Sequence, residues 1–334
     1  MNPIAAIIGG QTIYWNAVVI VLGVAACFFL TMSLFTAHGG RPAAVLLLLA
    51  LAVLLSLPLA RFIHWYCNSG KYPGFWKAMT DYGRGGYCLA GVVLGTGLAG
   101  LIVRKLGFTQ NLPRLYDCLA PGAALGIAMI RLSEIFTDAD RANASVTDPR
   151  FQRLPFSTWV DGFGEWHVAT FFFQFVMMLV IFVLLMRFFV KRRRWPMKNG
   201  LPRDGHVALM FLCWLSALDL MADSSRIDAS RLRLNGFVSM VQIVSAVTLL
   251  LVLVIYSRRS IRVNGLRPSL WIWWIVFFLG AGLTGFLEWL VNRHLSWHLF
   301  CYFLMSLATM TMAFSVYRAY LTVCAEKKKG RRST

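Results

Sequence analysis

The sequence predicts an all-α integral membrane protein of about nine transmembrane helices, with the N-terminus outside and the C-terminus cytoplasmic. Three observations predict it. Apolar runs of about 20 residues, the length that crosses a hydrocarbon core, recur from one end of the chain to the other. Only 14% of the 334 residues are charged and mean hydropathy is +0.64, where soluble domains carry about 25% charged residues. The basic residues are also sided: with the N-terminus outside, 19 of the 33 Lys and Arg fall in cytoplasmic segments and 10 in outer ones. That bias matches the positive-inside rule for an odd number of spans.

Lipid cannot satisfy an open backbone, so each run is expected to be a helix. The first covers roughly 14–36; it starts late and has no basic lead-in, so Met1 to Gly10 does not read as a cleaved signal peptide. The second, 43–66, follows Arg41 and carries Pro58 and Arg61 near its outer end. The third, 86–104, is glycine-rich and stops at Arg104 and Lys105; the fourth, 117–136, follows Arg114. The fifth, 168–190, ends on the basic stretch "KRRRWPMKNGLPR" at 191–203. The sixth and seventh, 206–222 and 236–257, precede "RRSIRVNGLR" at 258–267. The last two, 270–291 and 296–320, lead to the tail "KKKGRR". The cytoplasmic joints are mostly short. Two outer segments are long, 67–85 and 137–167, and long loops on a bundle are where function gathers.

The net charge of +19 is explained by topology and by contact with anionic lipid heads, so no nucleic-acid partner is expected. Seven scattered cysteines without paired spacing give no disulfide or metal signal and read as small core residues; no metal and no cofactor is expected. A channel or small-solute transporter lacks support, because no inverted repeat or pair of broken helices is visible.

Charges inside spans are costly and face a partner or a wet cavity. Arg131 and Glu134 lie one turn apart in "LAPGAALGIAMIRLSEIFTDADR". They read either as a self-neutralising pair at a helix end or as an Arg that binds a lipid phosphate with Glu134 orienting it or acting as a base. In "LDLMADSSRIDASRLR", Asp219, Asp223 and Arg226 recur at helical spacing, with Asp228 in the turn that follows. Two arginines and several carboxylates at outer-leaflet depth suit a phospholipid head group. Arg61 reads equally as an interfacial, snorkelling side chain. Glu288 is expected to pair with Arg293 or with a neighbouring helix.

These stretches together resemble the prolipoprotein diacylglyceryl transferase family. "GGQTIYWNAVVIVLG" is similar to the family's opening helix, "LARFIHWYCNSGKYPGFWK" to its Gly-x-Arg-x-x-Tyr region, and "LYDCLAPGAALGIAMIRLSEIF" to its Asp-x-x-Ala-Pro-x-x-x-Leu-Gly-x-x-x-x-Arg helix, where Arg131 falls on the Arg. "RIDASRLRLNGFVSMVQIVSAVTLLL" matches at Arg226, Asp228, Gln242 and Ser245. The resemblance covers about residues 9 to 257. It divides the chain into a seven-helix core, 1–260, and an addition, 261–334, of two helices and a basic tail. Some family positions differ: its His-Gly-Gly reads Leu89-Ala90-Gly91, its Asn-Gly-Glu reads Thr137-Asp138-Ala139, and an Arg-x-x-x-Glu-x-x-Arg stripe reads Asp219-x-x-x-Asp223-x-x-Arg226.

What the resemblance implies is transfer of a diacylglyceryl group from phosphatidylglycerol to the lipobox cysteine of preprolipoproteins in a bacterial inner membrane. Arg131, Glu134 and Asp223 are the expected catalytic residues. Arg226, Asp219, Asp228, Arg61 and Tyr14 are the expected substrate-binding ones. The partners would be anionic phospholipid and preprolipoprotein signal peptides. The alternative is a non-catalytic relative that binds lipid or signal peptide, or that partners a true transferase.

Overall fold

The computed structural model describes residues 4–8, 10–81, 86–137, 141–194, 204–227, 229, 238–293 and 298–324. Nine long helices form the bundle: α1 (Trp15–Thr36), α2 (Pro42–Cys67), α4 (Leu89–Lys105), α5 (Leu112–Ser133), α6 (Thr170–Arg194), α7 (His206–Ser225), α8 (Met240–Asn264), α9 (Pro268–Val291) and α10 (His298–Cys324). A short helix, α3 (Phe75–Thr80), lies between α2 and α4. Eight of the nine are long and apolar enough to cross a membrane. The ninth, α4, has 17 residues, or about 26 Å at 1.5 Å per residue, near the lower limit for a span.

Each expected span holds one of these helices, and the boundaries shift, most at two places. α5 starts at Leu112, five residues before the expected 117, because Asn111 caps it: its side-chain oxygen accepts from the Arg114 amide at 3.3 Å. α8 runs through most of the expected basic joint to Asn264 and stops where Gly265 takes φ +72°. Only 265–267 remain as the turn into α9. Two small hairpins add to the all-α plan: β1 (Ile4–Ile8) with β2 (Gln11–Tyr14), and β3 (Ser157–Val160) with β4 (Glu165–Val168). The tail from 325 and all of 195–203 lie outside the described residues.

Consecutive long helices reverse direction, which gives the bundle two faces. On the short-loop face, the α4–α5 and α6–α7 joints are tied together: Asn111 Nδ2 donates to Asp204 at 2.6 Å, and Arg114 pairs with Asp204 at 3.4 Å and donates to the His38 carbonyl at 3.4 Å. Asp117, buried one turn into α5, accepts from the Gly205 and Ala208 amides at 2.6 and 2.9 Å. Its charge thereby caps the N-terminus of α7, where the helix dipole favours an anion.

Lipid gives no hydrophobic drive to helix pairing, so close packing relies on small residues. A Cβ at Gly23 of α1 would sit 2.7 Å from the Met129 Cβ of α5, and one at Gly122 of α5 would sit 2.8 Å from the Cys27 carbonyl of α1. The α2–α4 contact is equally tight: a Cβ at Gly91 would lie 2.4 Å from the Ala60 backbone, and one at Gly95 2.5 Å from Ser56. α9 and α10 pack on each other through Leu287, Val291, Cys301, Tyr302 and Met305. α10 joins the rest of the bundle through Tyr320, whose ring lies 5.6 Å from His206 of α7 and 5.5 Å from Tyr256 of α8.

Candidate functional site

The site is built on the long-loop face, where α5 and α7 end. Arg131 sits in the last turn of α5 and Glu134 caps it. Their side chains pair at 3.1 Å, with 11% and 13% of the two side chains exposed. The first turn of α1 braces this end: Asn16 Nδ2 donates to the Ser133 carbonyl and hydroxyl at 3.4 and 3.5 Å, and Trp15 stacks on Phe136 at 6.3 Å.

On α7 the expected helical stripe holds for Asp219 and Asp223, while Arg226 falls just past the helix end in extended backbone. Asp219 and Asp223 are 8% and 4% exposed, and Asp223 pairs with Arg226 at 3.6 Å. The Asp223 carboxylate is near enough to act electrostatically on the thiols of Cys67 and Cys88, which places it beside the ends of α2 and α4. Gln242 fixes the depth of this helix end. It closes a capping box with Ser239 at the start of α8, and its Nε2 donates to the Leu220 carbonyl of α7 at 3.3 Å. Such a Ser-x-x-Gln signature is legible in a sequence.

What joins the two ion pairs is a residue the sequence reading passed over. Arg141 is 3% exposed; its Nη2 donates to the carbonyls of Glu134 and Thr137, and its guanidinium lies 4.4 Å above the Phe171 ring. Its own carbonyl accepts from the Ile227 amide at 3.0 Å, and the next residues bond to the Ser225 carbonyl on one side and to β4 at Val168 and Trp166 on the other. Residues 141–146 are therefore a strap that holds Arg131–Glu134 to one side and Asp223–Arg226 to the other. No composition signal marks Arg141, because its partners are main-chain groups, which every residue carries.

Arg61 does not snorkel. It is 1% exposed and donates to the carbonyls of Ala78, Asp81 and Gly86 at 2.7, 2.6 and 3.1 Å, with Tyr72 and Tyr87 rings at 5.2 and 5.6 Å. It clasps the α2–α4 connection. Tyr14 stands at the end of β2, 51% exposed. Asp228 lies outside the described residues, as do Asp138 and Ala139. Of the two partners expected for Glu288, Arg293 is not the one it takes among the described residues: Arg293 lies beyond the end of α9, over the Trp289 ring at 5.0 Å, while Glu288 is buried on α9 and has another interaction there.

The profile of prolipoprotein diacylglyceryl transferase matches residues 3–258. The chain belongs to that family. No curated protein matches it. The match takes in α1 to most of α8 and leaves α9 and α10 outside. On the resemblance read from the sequence, Leu89 stands where the family has a histidine. It is the first residue of α4 and packs against the apolar core, so that position supplies no proton acceptor.

Proposed function

We propose that this member of the diacylglyceryl transferase family transfers the diacylglyceryl group of phosphatidylglycerol to the lipobox cysteine of preprolipoproteins. The observation that carries the reading is the pair of Arg–carboxylate couples held by one strap at the long-loop face of a family chain. The protein is multi-pass; on this reading it sits in a bacterial inner membrane with the long-loop face and N-terminus outside and the C-terminus in the cytoplasm. Residues 1–260 are the transferase core, and 261–334 are an addition to it.

In the reaction, the cysteine thiol loses its proton and its sulfur forms a bond to the glycerol carbon of the diacylglyceryl group. The C–O bond to phosphate breaks, and glycerol phosphate leaves with the electron pair. A thiol attacks only as thiolate, and the departing phosphate needs cationic donors placed where its charge grows. Arg131 and Arg226 hold the phosphate, each presenting a guanidinium fork suited to two parallel bonds. Glu134 or Asp223 accepts the thiol proton, a role that one of them must fill because position 89 is leucine. Asp219 supports the stripe one turn deeper. In this geometry Arg61 and Tyr14 contribute to the lipid's surroundings: Arg61 through the loop it clasps, Tyr14 at the surface.

The second reading is a non-catalytic relative that binds the same lipid or the signal peptide, and the apolar Leu89 favours it. Complementation of a transferase-depleted bacterium decides between them, with lipoprotein processing followed on a gel. Rescue by the wild-type chain and not by Arg131→Ala supports catalysis. A wild-type chain that reaches the membrane and gives no rescue sinks it.

A further inference from the structure

A long apolar groove of about 1350 Å³ runs between α6 and α10 with α7 as its floor. That is more than the roughly 300–1,000 Å³ that drug-sized ligands occupy. Along α6 it is lined from Thr170 to Lys191, about 31 Å at the helical rise, which is the full hydrocarbon thickness. Its walls are Met177, Val180, Leu184, Tyr317 and Leu321 among others. One wall, α10, lies outside the family match, so this groove belongs to this chain's own addition.

The charges lining the groove are all of one sign. Arg187 and Lys191 line it at its short-loop end, one turn apart on α6, and among the described residues no Asp or Glu lines it. Among the described residues Arg187 makes no hydrogen bond or ion pair, whereas Lys191 already has an interaction of its own, so Arg187 is the primary anchor. Two cations at an interface, above an apolar channel with no acid among its described lining, fit an amphiphile with an anionic head. A transmembrane helix is a poorer fit, because the cytoplasmic ends of such helices and the leading regions of signal peptides are themselves basic.

We propose that the α6–α10 groove is a binding site for an anionic glycerophospholipid of the leaflet at the short-loop face. Its phosphate lies between Arg187 and Lys191 and its acyl chains lie along α6 and α10. Gln174, about 20 Å further along α6, marks the limit of an acyl chain anchored there. Gln174 is 2% exposed, lines the groove, and its Nε2 has no hydrogen-bond partner among the described residues. The site stands apart from the transfer chemistry and is tested with a lipid that is not the proposed donor.

The full chain in neutral detergent is offered equal amounts of phosphatidylserine and phosphatidylcholine, and retained lipid is counted by native mass spectrometry. A base near a membrane surface contributes on the order of a fivefold preference for an anionic head. The wild-type chain is therefore expected to prefer phosphatidylserine by on the order of 25-fold. Arg187→Gln with Lys191→Gln abolishes that preference, and Arg187→Gln alone, at an exposed side chain, lowers it about fivefold. Arg104→Gln with Lys105→Gln, at the end of α4 away from the groove, leaves it intact. Equal retention of the two lipids by the wild-type chain overturns the proposal. So does a preference lost in Gln174→Leu and kept in the Arg187/Lys191 variant, which would seat the lipid the other way up.

Discussion

Arg61 and Arg131 occupy matching places, each in the closing turns of a span on the long-loop face, and they are held in opposite ways. Arg61 gives its donors to three main-chain carbonyls. Arg131 pairs with the side chain of Glu134. A carbonyl fixed in a loop cannot turn away, so Arg61 serves the loop. A carboxylate on a side chain can exchange its partner for an incoming phosphate, so Arg131 can serve a ligand. The partner, more than the depth of burial, separates a structural arginine from one that the proposed transfer can use.

Substitution can break that contrast, and the largest effect is expected at Arg61. Removing it leaves three carbonyls without their donor, each costing about 1–3 kcal/mol when buried. Arg61→Ala should lower the unfolding temperature sharply and open 68–88 to protease, with Arg61→Lys recovering only part, since an ammonium lacks the fork. Arg131→Ala should leave the unfolding temperature much closer to wild type, while lipoprotein transfer falls by about 10² to 10³, the usual cost of removing one donor to a developing anion. If instead both variants lose stability alike, the contrast is wrong.

Glu134→Gln sharpens the division of labour on the reactive side. A general base is worth about 10²-fold or more. Transfer rates of Glu134→Gln and Asp223→Asn, compared in one membrane preparation, assign the base to whichever falls further. On the opposite face, Asp117→Ala should cost about 1 kcal/mol through the lost cap of α7, read as a shift in unfolding temperature with unchanged transfer per folded molecule. The smallest effect is expected at Tyr14→Phe. On an exposed ring its stability change should stay within about 0.5 kcal/mol, and a larger loss of transfer than of stability would place its hydroxyl at the lipid.

The same contrast shows what was legible beforehand. The spans were, because an apolar run of bilayer length has few other uses. The start of α5 was not, since Arg114, Tyr116 and Asp117 make its first turns look like a loop until Asn111 is seen to cap it. The hairpins were not, being four- and five-residue strands among aromatic residues. Of the site, the pairs Arg131–Glu134 and Asp223–Arg226 followed from helical spacing. The strap through Arg141 and the clasp of Arg61 did not, because both depend on main-chain carbonyls, which every residue carries and no pattern marks.

The glycine seam between α1 and α5 also constrains how the chain is made. Gly23 meets Met129, more than a hundred residues later in synthesis. At about 5–20 residues per second, α1 waits in the bilayer for roughly 5–20 s before its partner emerges. During that interval its small-residue face has only lipid or the insertion machinery against it. Chains that terminate before α5 expose that face permanently, which makes them natural targets for membrane quality control.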